Sequence, residues 1–211
     1  MIDSYITVSH AASDEIIVSK SRFIGYAAPF TDETAALAFL QQIRDEHKSA
    51  RHHCYAYIIG ENSGIMRYSD DGEPGGTAGL PMMEVMKLWN IVNCCVVVVR
   101  YFGGVLLGTG GLVRAYTRSA QAALQAAGIV RMELTAGSYC EIPYAVWDKF
   151  RYAAERLPVR IENVEYGSSV SFNLLCRSSD AASVLPRLQD AADRKLETID
   201  QGESFKAWEI T

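Results

Sequence analysis

Asp70, Asp71 and Glu73 place three carboxylates within four residues, in the stretch Ser69-Asp70-Asp71-Gly72-Glu73-Pro74-Gly75-Gly76. Such a cluster suits a Mg²⁺ ion, proton transfer or a solvated turn. No nucleophile is positioned beside it in the sequence, so a structural loop or a partner contact is the expectation. A second constellation is Arg51-His52-His53-Cys54. Successive side chains of a strand point to opposite faces, so His52 and His53 do not enter one pocket. Zinc is therefore a poor fit. One histidine donating to a phosphate or base, and a histidine satisfied inside the fold, both stay open.

The third constellation runs Arg100-Tyr101-Phe102-Gly103-Gly104-Val105-Leu106-Leu107-Gly108-Thr109-Gly110-Gly111-Leu112-Val113-Arg114. It reads as strand, glycine-rich loop, helix. Glycine lets backbone approach a ligand closely, and the unpaired N–H groups at a helix start favour negative charge. Arg114 and Arg118 stand four apart on that helix, with Gln121 and Gln125 continuing the face. No Lys-Ser/Thr follows the glycines, so this is not a P-loop, and the dinucleotide fingerprint matches only weakly. Phosphate contact and a tight strand-to-helix connection remain equal readings. From Val85 to Met132 there is no Asp or Glu, while Lys87, Arg100, Arg114, Arg118 and Arg131 all fall there. A carboxylate-free surface suits an anion. A buried strand and an Ala-rich helix also have few polar positions.

These motifs need elements to hold them. Glu15 to Ala28 is β-branched and aromatic and predicts one or two strands. Thr31 is placed to cap a helix carrying Leu37, Leu40 and Ile43 on one face. His53 to Ile59 predicts a strand, with Ile65 to Tyr68 its hairpin partner. Ser69 to Gly79 is loop, and Pro81 opens a helix to about Asn90. Cys94 to Tyr101 predicts a strand buried on both faces, central in a sheet. Phe102 to Gly111 is read as loop and Leu112 to Ala127 as helix, ended by Gly128. After Thr135 the pattern restarts. It has a strand at Ser138 to Ile142, a helix at Tyr144 to Leu157, and strands at Val159 to Tyr166 and Val170 to Cys176. A helix at Asp180 to Arg194, starting late or kinked at Pro186, and a strand at Ser204 to Ile210 complete it. This βαββαβ order is the ferredoxin-like pattern. The expectation is an α/β (α+β) chain of two domains, residues 1–134 and 135–211.

The 211 residues are 49% hydrophobic and 21% charged, enough to bury a core and too apolar for a disordered tail. A net charge of −5 argues against coating nucleic acid by bulk charge. The longest apolar run, Cys94 to Val99, falls far short of the roughly 20 residues of a membrane span. No basic-then-apolar leader is read at the start. Five Cys with no C-x-x-C read as reduced thiols in a cytoplasmic protein.

Four stretches together carry a resemblance: KSRFIGYA at 20–27, ARHHCYAY at 50–57, SDDGEPGGTAG at 69–79 and VVVVRYFGGVLLGTGGLVRAY at 96–116. In this order they resemble the IMPACT family, in its bacterial YigZ-like branch, over about residues 15–130. The resemblance implies an N-terminal domain of the ribosomal protein S5 domain 2-like type and a ferredoxin-like C-terminal domain. It is similar in both to successive domains of elongation factor G. Eukaryotic members are implied to regulate translation initiation through an extra RWD domain that binds a kinase activator. This chain begins directly with the shared domain, so that partner is not expected here. A peptidase role finds no H-E-x-x-H or G-x-S-x-G to support it.

The shared motifs fall on Arg51, His52, His53, Asp70, Asp71, Gly72, Glu73, Arg100, Tyr101, Gly103, Gly104, Gly108, Gly110, Gly111 and Arg114, expected to line one surface. The leading expectation is a non-enzymatic protein that binds RNA or the ribosome and regulates translation, with no cofactor. Arg51, Arg100 and Arg114 would meet phosphates, joined by Arg118, and Tyr101 or Phe102 would stack a base. Lys20 and Arg22 are candidates to add positive charge. A Mg-assisted enzyme or binder of a phosphorylated small molecule is the alternative, and a module for a protein partner the third reading.

Overall fold

The computed structural model describes residues 2–208. The described chain divides into two compact units, residues 2–131 joined by 207–208, and residues 132–206. With two antiparallel sheets and five helices among the described residues, it has the α+β class expected.

Unit 1 is built on β6 (Cys94–Tyr101), which lies between β3 (Ser21–Pro29) and β4 (His52–Ile59). Beyond them β2 (Ala12–Val18) and β5 (Ile65–Ser69) form the edges, giving the order β2-β3-β6-β4-β5. The run of β6 is continuously apolar because both faces are covered. Cys94, Val96 and Val98 pack into a core with α2 (Gly79–Leu88) and α3 (Gly108–Ala126). Cys95, Val97 and Val99 pack into a second core with α1 (Glu33–Glu46). The β2–β3 turn uses Ser19 (φ 47°) and Lys20 (φ 65°), the left-handed pair that a two-residue hairpin needs. A short strand, β1 (Ser4–Val8), precedes the elements that the sequence predicts. It is held by Val92 N–H donating to the Ile6 carbonyl at 2.9 Å.

Unit 2 takes up β7 (Ile129–Ile142) from Met132 onward, then α4 (Tyr144–Ala154), β8 (Val159–Tyr166), β9 (Val170–Arg177), α5 (Ser178–Ala191) and β10 (Glu197–Trp208). The strand order β10-β7-β9-β8 with βαββαβ succession is the ferredoxin-like arrangement. Val170, Phe172 and Leu174 alternate inward against Trp147 and Phe150 of α4. The Phe150 and Phe172 rings sit 5.2 Å apart.

Several boundaries differ from expectation for physical reasons. Asp32, not Thr31, caps α1, its Oδ1 accepting the Ala35 N–H at 2.8 Å. β7 runs unbroken through the division between the two units, which falls after Arg131, so no loop separates them there. α5 starts at Ser178 and runs through Pro186 rather than starting late. α3 begins at Gly108, so Gly108, Gly110 and Gly111 are its first turn and not loop. β10 begins at Glu197, and Ile210 lies outside the described residues. All five Cys are buried free thiols. No helix among the described residues is long and apolar enough to cross a membrane.

Candidate anion-binding surface

The start of β4, the acidic loop, the end of β6 and the middle of α3 meet at one end of the unit 1 sheet. His52 stands directly opposite Arg100 in the β4–β6 register. Here the carboxylates are occupied by the protein itself. Asp70 accepts N–H bonds from Gly76 at 2.8 Å and from Ala78 and Gly79 at 2.9 Å each. It thereby caps α2, whose own N-cap Ala78 has no side chain able to do so. Asp71 accepts the His53 backbone N–H at 2.6 Å, with Arg44 at 3.7 Å. The Asp71 carbonyl lies 2.8 Å from His52 Nδ1.

Glu73 is buried inside unit 1. Its Oε1 accepts from Arg100 Nη1 and from the Tyr116 hydroxyl, each at 2.7 Å. The expectation for Arg100 is corrected. Its side chain is only 7% exposed and Glu73's 3%, so this guanidinium faces no external phosphate. The reason is parity. Arg100 follows Val96 and Val98 onto the α3 face, where a buried cation needs a buried anion. The Cys54 thiol donates to the Asp70 carbonyl at 3.0 Å and is pushed up to about 12 by burial, against the lowering effect of the Tyr116 contact. It is a packing thiol rather than a nucleophile. Among the described residues no three His, Cys, Asp or Glu side chains converge as a metal site.

On the other face of the sheet, Tyr101 is half-buried. Its hydroxyl lies 2.8 Å from His47 Nδ1, and the Arg22 guanidinium sits 5.4 Å from the ring centroid. His47 Nε2 lies 2.6 Å from the Tyr26 hydroxyl, and burial holds its pKa below the usual histidine value. His53 is buried with Nε2 3.2 Å from the His47 carbonyl, the satisfied-histidine reading. His47 and Arg44 carry no sequence signal of a site, since both stand at an ordinary amphipathic helix end. Tyr116 was legible only as apolar, because it falls on the core stripe of α3.

The fourth motif joins through Gly103. A Cβ there would lie 2.0 Å from the Lys20 carbonyl carbon, so only glycine fits against the β2–β3 turn. The Gly103 N–H donates to Ser21 Oγ at 3.1 Å. Beyond it Gly104, Gly108, Thr109 and Gly110 are exposed at the start of α3, which has no side-chain cap and no acid in its first turn. Arg114 and Arg118 are exposed one turn apart and form no ion pair among the described residues. They flank a cavity of about 310 Å³ with Leu106 and Leu107. The five cations of the carboxylate-free stretch therefore do not share a face. Arg100 is buried, Lys87 pairs with Glu84 at 3.2 Å and shares a separate cavity with Arg131, and only Arg114 and Arg118 stand together. Arg51 is exposed beside the loop.

The profile of the Impact N-terminal domain matches residues 19–124, half of the chain and all of the surface just described. The chain belongs to the IMPACT family. A domain of unknown function, DUF1949, matches residues 140–193 within unit 2. The IMPACT family member YvyE of Bacillus subtilis (strain 168) is 40% identical over 172 residues, 82% of this chain and 79% of YvyE. YigZ of Escherichia coli (strain K12) is 47% identical over 110 residues, 51% of this chain and 54% of YigZ. A solved crystal structure of a hypothetical protein shares the architecture at a TM-score of 0.61 and 31% identity. That match covers 94% of this chain and 98% of the other. The bacterial branch of the family that the four motifs resemble is thus the branch to which these relatives belong.

Proposed function

We propose that unit 1 binds RNA, free or within the ribosome, and that the protein acts without covalent chemistry as a cytoplasmic regulator of translation. One observation carries this. Arg114 and Arg118 are exposed, adjacent and without a carboxylate partner among the described residues, beside an uncapped glycine-rich helix start. Phosphate is the ligand that such a surface favours. The motif resemblance to a family with translational regulators among its eukaryotic members supports the same reading. The Mg-assisted alternative draws less support, because Asp70, Asp71 and Glu73 are already bonded to backbone N–H groups, arginine and tyrosine.

The test is salt-dependent binding of the full chain to labelled RNA. Each neutralised phosphate contributes roughly 0.7–0.9 to the slope of log K against log salt. Arg114→Ala should weaken binding across RNA sequences and shallow the slope by about one such share, at unchanged melting temperature. Absence of binding at low salt, or an Arg114→Ala variant that binds like wild type, overturns the proposal at this surface.

A further inference from the structure

The cavity beside α3 is not uniformly polar, and that bears on which form of RNA it takes. Val18, Leu106, Leu107 and Ala115 line it on the apolar side, together with Arg114 and Arg118. Leu106 is 88% exposed, an apolar side chain held in water with no packing role to explain it. At about 310 Å³ the space sits at the low end of the roughly 300–1,000 Å³ of small-ligand sites. It suits one nucleotide unit rather than a large cofactor.

Resting on the RNA-binding reading above, we infer that this cavity receives a single unpaired nucleotide. Two guanidiniums at i and i+4 lie on one helix face, close enough to reach one phosphate. The apolar walls then cover the face of the attached base. A duplex offers its backbone, 2′-hydroxyls and base edges here but no base face, because its bases are stacked on one another and cannot lay a face against Leu106 or Val18. Charge alone would bind either form. The apolar wall next to the charge is what discriminates, and it makes single strands the preferred substrate class. Aromatic residues are not required for this, since any apolar wall that removes a base face from water contributes.

The experiment compares a labelled 12-nucleotide oligouridylate with a 12-base-pair RNA duplex, by fluorescence anisotropy with the full chain at one low salt concentration. Wild type should bind the single strand at least about tenfold more tightly, the gain from taking roughly 50–60 Å² of apolar surface out of water. Leu106→Ala should remove most of that preference while leaving the salt slope and the melting temperature unchanged, because the side chain is exposed. Leu106→Asp, which puts a carboxylate beside Arg114, should weaken both forms. Equal or tighter duplex binding, or a Leu106→Ala variant with the preference intact, overturns this inference and leaves RNA binding standing. Failure to bind either probe overturns both.

Discussion

Replacing Glu73 by alanine tests the assignment of the acidic loop to structure. The change strands Arg100 as an unpaired charge, in a side chain 7% exposed. The Arg100 Nε already lacks a hydrogen-bond partner, so no second acceptor stands ready. Removing one member of a buried ion pair costs about 3–5 kcal/mol. The Tyr116 hydroxyl loses its acceptor too, worth about 1–3 kcal/mol for a buried group. Both bonds end on the same oxygen, so the two costs overlap. A loss of about 4 kcal/mol is the expectation. Urea unfolding followed by circular dichroism reads it. At roughly 2 kcal/mol per molar urea, the midpoint of the unit 1 transition should fall by about 2 M. Glu73→Gln, which keeps an acceptor for Tyr116, should fall less. Glu73→Leu combined with Arg100→Met should recover the ion-pair part of the loss, since an apolar pair of similar volume replaces a buried ion pair at little cost, and should keep the part owed to Tyr116, whose acceptor is still missing. A midpoint that moves by less than about 0.5 M in Glu73→Ala refutes the reasoning. So does a fully stable Arg100→Met protein whose RNA salt slope falls by one contact, because that arginine would then face the ligand.

Asp70→Ala removes the acceptor of three N–H bonds at the start of α2 and should cost about 2 kcal/mol by denaturant unfolding, with Asp70→Asn milder. Gly103→Ala drives a methyl into the Lys20 backbone and should abolish soluble folded protein or lower its melting temperature strongly, whereas Gly104→Ala, which meets no neighbour and bears only the strain of its φ of 83°, should be milder. Burial lowers the pKa of His47 in the fold, so the folded state favours the neutral ring. Its contribution is present above the unfolded value of about 6.5 and declines as pH falls below it, because the unfolded chain takes up the proton first. His47→Gln should therefore flatten the loss of urea midpoint between pH 7.5 and 5, and an unaltered pH profile would count against this.

The sheet was legible because its signals are local. Six consecutive apolar residues from Cys94 to Val99 demand cover on both sides, and they have it. The hairpin of β4 and β5 follows from two β-rich runs around Gly60-Glu61-Asn62-Ser63-Gly64. The start of α3 was not legible. Three glycines in four residues each cost about 1 kcal/mol of helix propensity, which places the predicted start at Leu112. Packing of Leu112, Ala115 and Tyr116 into the core supports the extra turn from Gly108. The partnership of Glu73 with Arg100 joins residues 27 apart through a loop. Nothing in either motif marks it, because strand parity tells which residues share a face but not which face receives α3.

The motif residues separate by what already satisfies their charge. Asp70, Asp71, Glu73 and Arg100 have strong partners inside unit 1, and a ligand would have to break those bonds before using the groups. Arg114 and Arg118 have no such cost to meet. Substitutions should therefore fall into two patterns. Changes at Asp70, Glu73 and Arg100 should lower stability and reduce binding only as far as the fold is lost. Changes at Arg114 and Arg118 should lower binding at constant stability. An enzyme built on the acidic loop gives the opposite assignment, with Asp70→Asn silent in unfolding and severe in function. Measuring unfolding midpoint and RNA affinity on the same four variants, Asp70→Asn, Glu73→Gln, Arg114→Ala and Arg118→Ala, separates the two readings without knowledge of the natural ligand. The stability axis depends only on contacts within unit 1.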